Sequence, residues 1–258
     1  MTSLKSRVFS ITGGASGMGA ATCHLLAQRG AAAVCIGDFN PTNFDKLRAE
    51  IKEINPETQV LTTKLDVSSS SQVEAWIEEI VAKFGRLDGS ANVAGVPQPV
   101  GVRSQPAILE ETDETWRRTI GVNLDGIFFC TRAQIRTMLK QPRENHPAIV
   151  NVSSLASTLH TPDCYGYGVS KKGAASFSSS VAKDVFPFGI RVNTVSPGAT
   201  MTAMMAQFFP KGDMAQSTGN RGMNLMDATS IARAIVWLLS EDSLDVNGIN
   251  MPVGEGAP

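Results

Sequence analysis

The sequence has no surplus of charge, few histidines and cysteines, and no long apolar run, and each shortage excludes a class of protein. Lys and Arg number 23 against 24 Asp and Glu, so a net charge of −1 offers no basic footprint for nucleic acid or an anionic membrane. No stretch approaches the roughly 20 consecutive apolar residues that a bilayer span requires. The opening MTSLKSR lacks the apolar core of a secretory signal. Three histidines and four cysteines, Cys23, Cys35, Cys130 and Cys164, are scattered without a CxxC pair. They give a metal centre or a disulfide frame little to be built from, and the cysteines read as small buried thiols. The expectation is a soluble, cytoplasmic protein with no metal and no nucleic-acid or membrane partner. What is present is an ordinary globular composition, 42% hydrophobic over 258 residues, enough for one sizeable core.

Strand-like and helix-like segments alternate along the chain. Residues 7–12, 32–37, 59–67, 87–94, 148–152, 190–195 and 249–253 read as short buried strands. Between the first two, residues 20–29 read as a helix stopped by Gly30. Asn40 and Pro41 cap and open a helix through about Ile54. Ser71 and Glu74 have capping-box spacing. The helix they open carries Val73, Trp76, Ile77, Ile80, Val81 and Phe84 on one stripe and ends at Gly85. Residues 113–139 and 165–185 read as long helices, and Ile231, Ala234, Ile235, Leu238 and Leu239 mark a last one. This alternation predicts a single α/β domain over 1–258: one doubly wound, mostly parallel seven-stranded sheet with helices on both faces.

Between the first strand and its helix lies TGGASGMG, residues 12–19. Gly13, Gly17 and Gly19 permit a tight turn that lets backbone N–H groups approach a pyrophosphate at a helix N-terminus. No GK[ST] follows, which excludes a Walker phosphate loop. Asp38 ends the second strand, where a carboxylate can accept from both hydroxyls of an adenosine ribose and would repel a 2′-phosphate. No Lys or Arg lies in residues 13–19 to neutralise such a phosphate, so NAD(H) is favoured over NADP(H). The alternative is that Asp38 simply caps the next turn with Asn40.

The two tyrosines, Tyr165 and Tyr167, both open the helix at 165–185. Tyr167 and Lys171 are four residues apart and share a face. A phenol is a poor acid or base at neutral pH, and a neighbouring ammonium favours phenolate and moves its pKa toward the working range. Ser153 and Ser154 close the fifth strand, on the edge where ligands of open α/β sheets collect.

In this order and spacing the motifs resemble the short-chain dehydrogenase/reductase family over nearly the whole chain. The similarity runs through TGGASGMG, Asp66-Val67, the NVAG segment at 92–95, GVNLDGIFF, IVNVSS, YGVSK and NTVSPGATMT. The resemblance implies a Rossmann fold and reversible hydride transfer between NAD(H) and a secondary alcohol or ketone. It implies Tyr167 as general acid/base and Lys171 as the residue that lowers its pKa and binds the nicotinamide ribose. Ser154, thirteen residues before Tyr167, matches the catalytic serine better than Ser153. Asn123 would hold a water linking Lys171 to solvent. Ser16 and Met18 stand with the glycines of the cofactor loop. Asp66 and Val67 would meet the adenine, Asn92 and Gly95 would shape the adenosine wall, and Pro197, Gly198 and Thr202 would flank the nicotinamide. The family implies a homodimer or homotetramer. NVAG in place of NNAG loses one polar contact, and Val253-Gly254-Glu255-Gly256 departs from the usual C-terminal ending, which weakens the case for a tetramer.

On the substrate side, six methionines lie between 201 and 226 with Phe208 and Phe209, a stretch the family uses as a lid. Flexible, polarizable methionine suits an irregular apolar ligand, so Met204 and Phe208 are candidate contacts for a bulky apolar substrate; a core-packing helix is the alternative. Asp163 reads as a helix N-cap or as an anchor for an amine-bearing substrate. A biosynthetic reductase that also guides cyclisation or isomerisation of its product would use the same site. A non-catalytic dinucleotide-binding protein would not need the serine, tyrosine and lysine.

Overall fold

The computed structural model describes residues 4–98, 105–158, 164–208 and 225–254. Seven strands form one sheet: β1 (Val8–Thr12), β2 (Ala33–Asp38), β3 (Gln59–Lys64), β4 (Gly89–Asn92), β5 (Ala148–Val152), β6 (Arg191–Pro197) and β7 (Asn250–Val253). Their order is β3-β2-β1-β4-β5-β6-β7 and every neighbouring pair is parallel. Eight α-helices lie among the described residues: α1 (Gly17–Gln28), α2 (Phe44–Ile54), α3 (Ser70–Phe84), α4 (Asp113–Ile120), α5 (Gly126–Met138), α6 (Tyr165–Val185), α7 (Ala203–Phe208) and α8 (Ala228–Leu239).

Successive strand residues point to opposite faces, and that splits the core in two. Phe9, Ile11, Val34, Ile36 and Val150 pack with α1, α2 and α8 on one face. Val8, Cys35 and Ile149 pack with α3, α5 and α6 on the other. The stripe read in the sequence delivers Val73, Trp76, Ile77 and Ile80 into this second layer, each buried; burial of each such side chain stabilises the fold by about 1.5–3 kcal/mol. All four cysteines are buried free thiols, and burial pushes Cys23, Cys35 and Cys130 well above the usual thiol range. No helix among the described residues is long and apolar enough to cross a membrane.

Two local expectations need correction. The capping box at Ser71 and Glu74 does not form. Instead α3 starts at Ser70, Ser69 caps it by accepting from Gln72 N, and the Gln72 side chain accepts from Asp66 N at 3.1 Å. Ser69 and Gln72 have the same three-residue spacing, and Glu74 is drawn away to Arg136 at 3.2 Å and Arg132 at 3.7 Å. The helix over 113–139 is not continuous either. One π turn, Gly121–Asp125, separates α4 from α5 and carries Asn123. Such insertions recur where a helix must re-aim a functional side chain.

Candidate active site

Chain connections diverge between β1 and β4, and a cleft of about 750 Å³ opens there at the carboxyl ends of the strands. The volume lies in the range of small-molecule sites. Of the residues read as cofactor contacts, Gly13, Ser16, Asp38, Asp66, Val67 and Gly95 line it, and so does Met204. Gly17, Met18 and Gly19 form the first turn of α1 beside it, with the Met18 side chain packed against the core. Thr202 stands close enough that a Cβ on Gly17, whose φ is +50°, would lie 3.1 Å from its Cγ2. Ser16 makes no side-chain cap to α1 and the first turn holds no acidic residue. The N–H groups at this positive helix end are therefore served by neither, a donor set that fits a dinucleotide pyrophosphate.

Asp38 takes up the capping role that its position suggested. One carboxylate oxygen accepts from Ala15 N at 2.9 Å and the other from Asn40 N at 2.9 Å, so it organises the glycine loop and the following turn. Two carboxylate oxygens carry about four acceptor sites, which leaves capacity for a ribose facing the cleft. Asn92 departs from expectation. Its amide points inward to Gln134 at 2.9 and 3.0 Å and to Asn151 at 2.8 Å, and Asn151 reaches Ser178 at 2.8 Å. This buried chain ties β4 and β5 to α5 and α6, so Asn92 supports the sheet edge with its side chain turned away from the cleft. Asn123 is likewise committed: Oδ1 accepts from Val96 N at 2.8 Å and Nδ2 donates to Val96 O at 3.0 Å.

The tyrosine, lysine and serine converge. The Tyr167 hydroxyl hydrogen-bonds the Ser154 side chain, and Lys171 Nζ lies 5.7 Å from the Tyr167 ring centroid. Ser153 turns inward and donates to Lys171 O at 2.7 Å. A side chain on Gly95 would meet Asn123 Oδ1 at 3.2 Å and Lys171 Nζ at 3.5 Å, so the bare backbone lets the cleft wall approach the lysine. The Phe208 ring packs edge-on against Tyr167, centroids 5.2 Å apart at 89°. Pro197 and Gly198 end β6, and Gly198 N donates to Val253 O at 2.9 Å. Asp163 and residues 209–224 of the segment read as a lid lie outside the described residues.

The phenol itself corrects an expectation. Burial pushes the Tyr167 pKa above its ordinary value, the Ser154 hydrogen bond opposes that, and the nearby Cys164 thiol adds to the rise. Lys171, meanwhile, is buried, donates to Val152 O at 3.1 Å, and has its pKa lowered by burial to about 8. In the unfolded chain that amine titrates at its usual 10.5. Between the two values the unfolded state binds more protons, so this lysine's contribution makes stability rise with pH across that window. Below it both states are protonated and the native state bears the full penalty, about 3 kcal/mol. Lys171→Met is therefore expected to resist urea better than the parent at neutral pH. The gap should close as pH climbs from about 8 to 10.5; a gap constant over that window would contradict a buried ammonium.

A family model described as enoyl-(acyl carrier protein) reductase matches residues 13–257. The chain belongs to the short-chain dehydrogenase/reductase family. It is 52% identical to chanoclavine-I dehydrogenase of Penicillium roqueforti over 262 residues, covering 100% of both chains. It is 50% identical to the chanoclavine-I dehydrogenase of Aspergillus fumigatus, again over 100% of both. Among solved structures it resembles levodione reductase, with a TM-score of 0.88 and 30% identity over 98% of each chain. It also resembles NAD+-bound xylitol dehydrogenase, with a TM-score of 0.86 and 25% identity over 99% of this chain and 100% of that one. This short-chain dehydrogenase/reductase is thus an oxidoreductase that works with a nicotinamide dinucleotide on an alcohol or carbonyl group.

Sequence reasoning missed several residues that this dehydrogenase/reductase brings to the site. Arg117 and Arg118 reach the cleft from α4, some 100 positions after the glycine loop, and Arg117 is paired with Asp113 at 2.7 Å. They neighbour the loop in space and not in sequence, so the residues around the glycines carry no sign of them. Phe39 also lines the cleft with its ring largely exposed, 68%; its place directly after Asp38 was the available signal.

Proposed function

We propose that this chain oxidises chanoclavine-I, or an alcohol on the same ergot-alkaloid skeleton, with NAD+ as the preferred cofactor. The reaction rests on one observation: the Tyr167 hydroxyl is held by Ser154 with Lys171 one helical turn away, beside a cleft that fits a dinucleotide. The substrate rests on full-length similarity to chanoclavine-I dehydrogenases. A bound NAD+ supplies a hydride acceptor. Around it, Tyr167 takes the proton of the substrate hydroxyl while Ser154 donates a hydrogen bond to the oxygen that becomes a carbonyl. The Ser154 hydrogen bond opposes the burial that disfavours phenolate, and Lys171 would hold the nicotinamide ribose. Gly13, Ser16, Gly17, Met18 and Gly19 would hold the pyrophosphate, Asp38 the adenosine ribose, Asp66 and Val67 the adenine, and Thr202 the nicotinamide side.

The Phe208 ring against Tyr167 and Met204 at the cleft support a bulky apolar substrate, with residues 201–226 as its lid. Partly exposed Phe128 and Val169, on the neighbouring helices α5 and α6, support a homodimer or homotetramer.

The test is turnover of chanoclavine-I with each cofactor, following dinucleotide reduction and product mass. NAD+ should be preferred, and Asp38→Ala should narrow the preference by about tenfold or more, the worth of one charge-assisted hydrogen-bond pair. An unchanged preference would remove the ribose role of Asp38. Turnover of small polyols in place of chanoclavine-I would overturn the substrate.

A further inference from the structure

We infer that Gln98 is a positioning residue for this reaction: its buried side-chain amide supplies the cap that α6 lacks and so fixes Tyr167 against the substrate site. The inference rests on Tyr167 being the proton acceptor proposed above.

Helix α6 begins without a cap of its own. Cys164 occupies the N-cap position and makes no side-chain bond to the first turn. First-turn N–H groups need acceptors from elsewhere. Gln98 Oε1 accepts from Tyr167 N at 2.9 Å, the bond a Ser or Asp N-cap makes to the third helical residue, here delivered from 69 positions away. The amide is 1% exposed, and its Nε2 donates to Glu111 Oε2. An ionised carboxylate only accepts, so Glu111 holds the nitrogen on its own side and turns the oxygen toward the helix. Gly166 packs beside this arrangement: a Cβ there would make ordinary contact with Gln98 Oε1 and Thr119 Cβ, each at 3.4 Å.

Gln98 also lies on the loop that walls the cleft. Asn123 anchors this loop at Val96, and Gln98 ties it to the backbone of Tyr167. The dinucleotide wall and the catalytic helix are therefore joined through this one side chain. Facing the phenol are the Ser154 hydroxyl from the end of β5, the Cys164 thiol and Lys171 ammonium of α6, and the Phe208 ring of α7. The Ser154 bond pulls the phenol down and depends on where the first turn of α6 sits.

The experiment measures kcat for alcohol oxidation across pH, dinucleotide affinity and melting temperature in the full-length protein. Gln98→Leu removes the acceptor; kcat is expected to fall about tenfold to a hundredfold, with dinucleotide affinity changed less than about twofold. The rising limb of its pH profile should move to higher pH as the Ser154 bond loosens. Gln98→Glu keeps an acceptor, and the carboxyl pair it forms with Glu111 can share a proton, so its loss should stay below about fivefold. Should the leucine variant fail to fold, Gln98→Asn, one methylene short of Tyr167 N, reads the same two effects. Equal losses in the acceptor-keeping and acceptor-lacking variants, or an unmoved pH limb, would overturn the proposal. So would a defect confined to melting temperature or dinucleotide affinity. Retained turnover in Tyr167→Phe would instead remove the role of Tyr167, which separates the two failures.

Discussion

Tyr167→Phe is expected to lower kcat by about 10²- to 10⁴-fold, the usual worth of a positioned general acid or base. The substitution removes one oxygen. The ring, its edge-on contact with Phe208 and the first turn of α6 all remain. Dinucleotide affinity, read by fluorescence titration, and the melting temperature should therefore stay near the parent values. A variant that keeps most of its turnover would end the acid/base assignment, because Tyr167 is the titratable side chain that bonds Ser154. Ser154→Ala should give a smaller loss, since the phenol can still bond the substrate oxygen.

The second large effect is at the glycine loop. A Cβ on Gly19 would lie 2.1 Å from Gly13 O and 2.8 Å from both Gly13 C and Gly14 Cα. These are backbone atoms of the loop itself, so nothing can step aside except the turn that cradles the pyrophosphate. Overpacking of this kind costs about 3 kcal/mol, which lowers the melting temperature of a domain this size by about 10 °C. Dinucleotide affinity should fall more than about tenfold as the loop opens. Gly168→Ala is the stability control: its Cβ would meet nothing within 4 Å, and alanine in a helix interior should stabilise by about 1 kcal/mol. Gly19→Ala binding NAD+ as the parent does would show that the loop does not hold the phosphates.

Most of the fold was legible because strand and helix periods alternate cleanly and each apolar run ends in glycine or a cap. The glycine loop, Asp38 and the Tyr167–Lys171 pair were legible for a related reason: each is a local spacing at an element boundary. What escaped was set by contacts between distant segments. Asn92 looked like a cleft residue, and Gln134 and Asn151 claim its amide. Gln98 and Arg118 announce nothing in their own neighbourhoods and matter through where β4 and α4 deliver them. The π turn at Gly121–Asp125 also has no pattern of its own, since an extra residue in a helix is seen only when the packing on both sides of it is known. The raised phenol belongs with these. Spacing showed the ammonium, and burial, the larger influence, is a property of the folded interior.

Beyond β6, Thr200 pairs with Met226 in a single parallel bridge, with Met201 N donating to Met226 O at 2.8 Å and Met226 N to Ala199 O at 2.9 Å. The chain thus leaves and rejoins the framework at one clasp. Loop-closure entropy grows only logarithmically with the number of residues enclosed, so lengthening the stretch inside the clasp adds little closure cost. Met204 and Phe208 lie just inside that clasp, so substitution at these two positions would reshape the substrate side while Ser154, Tyr167 and Lys171 keep the places that β5 and α6 give them.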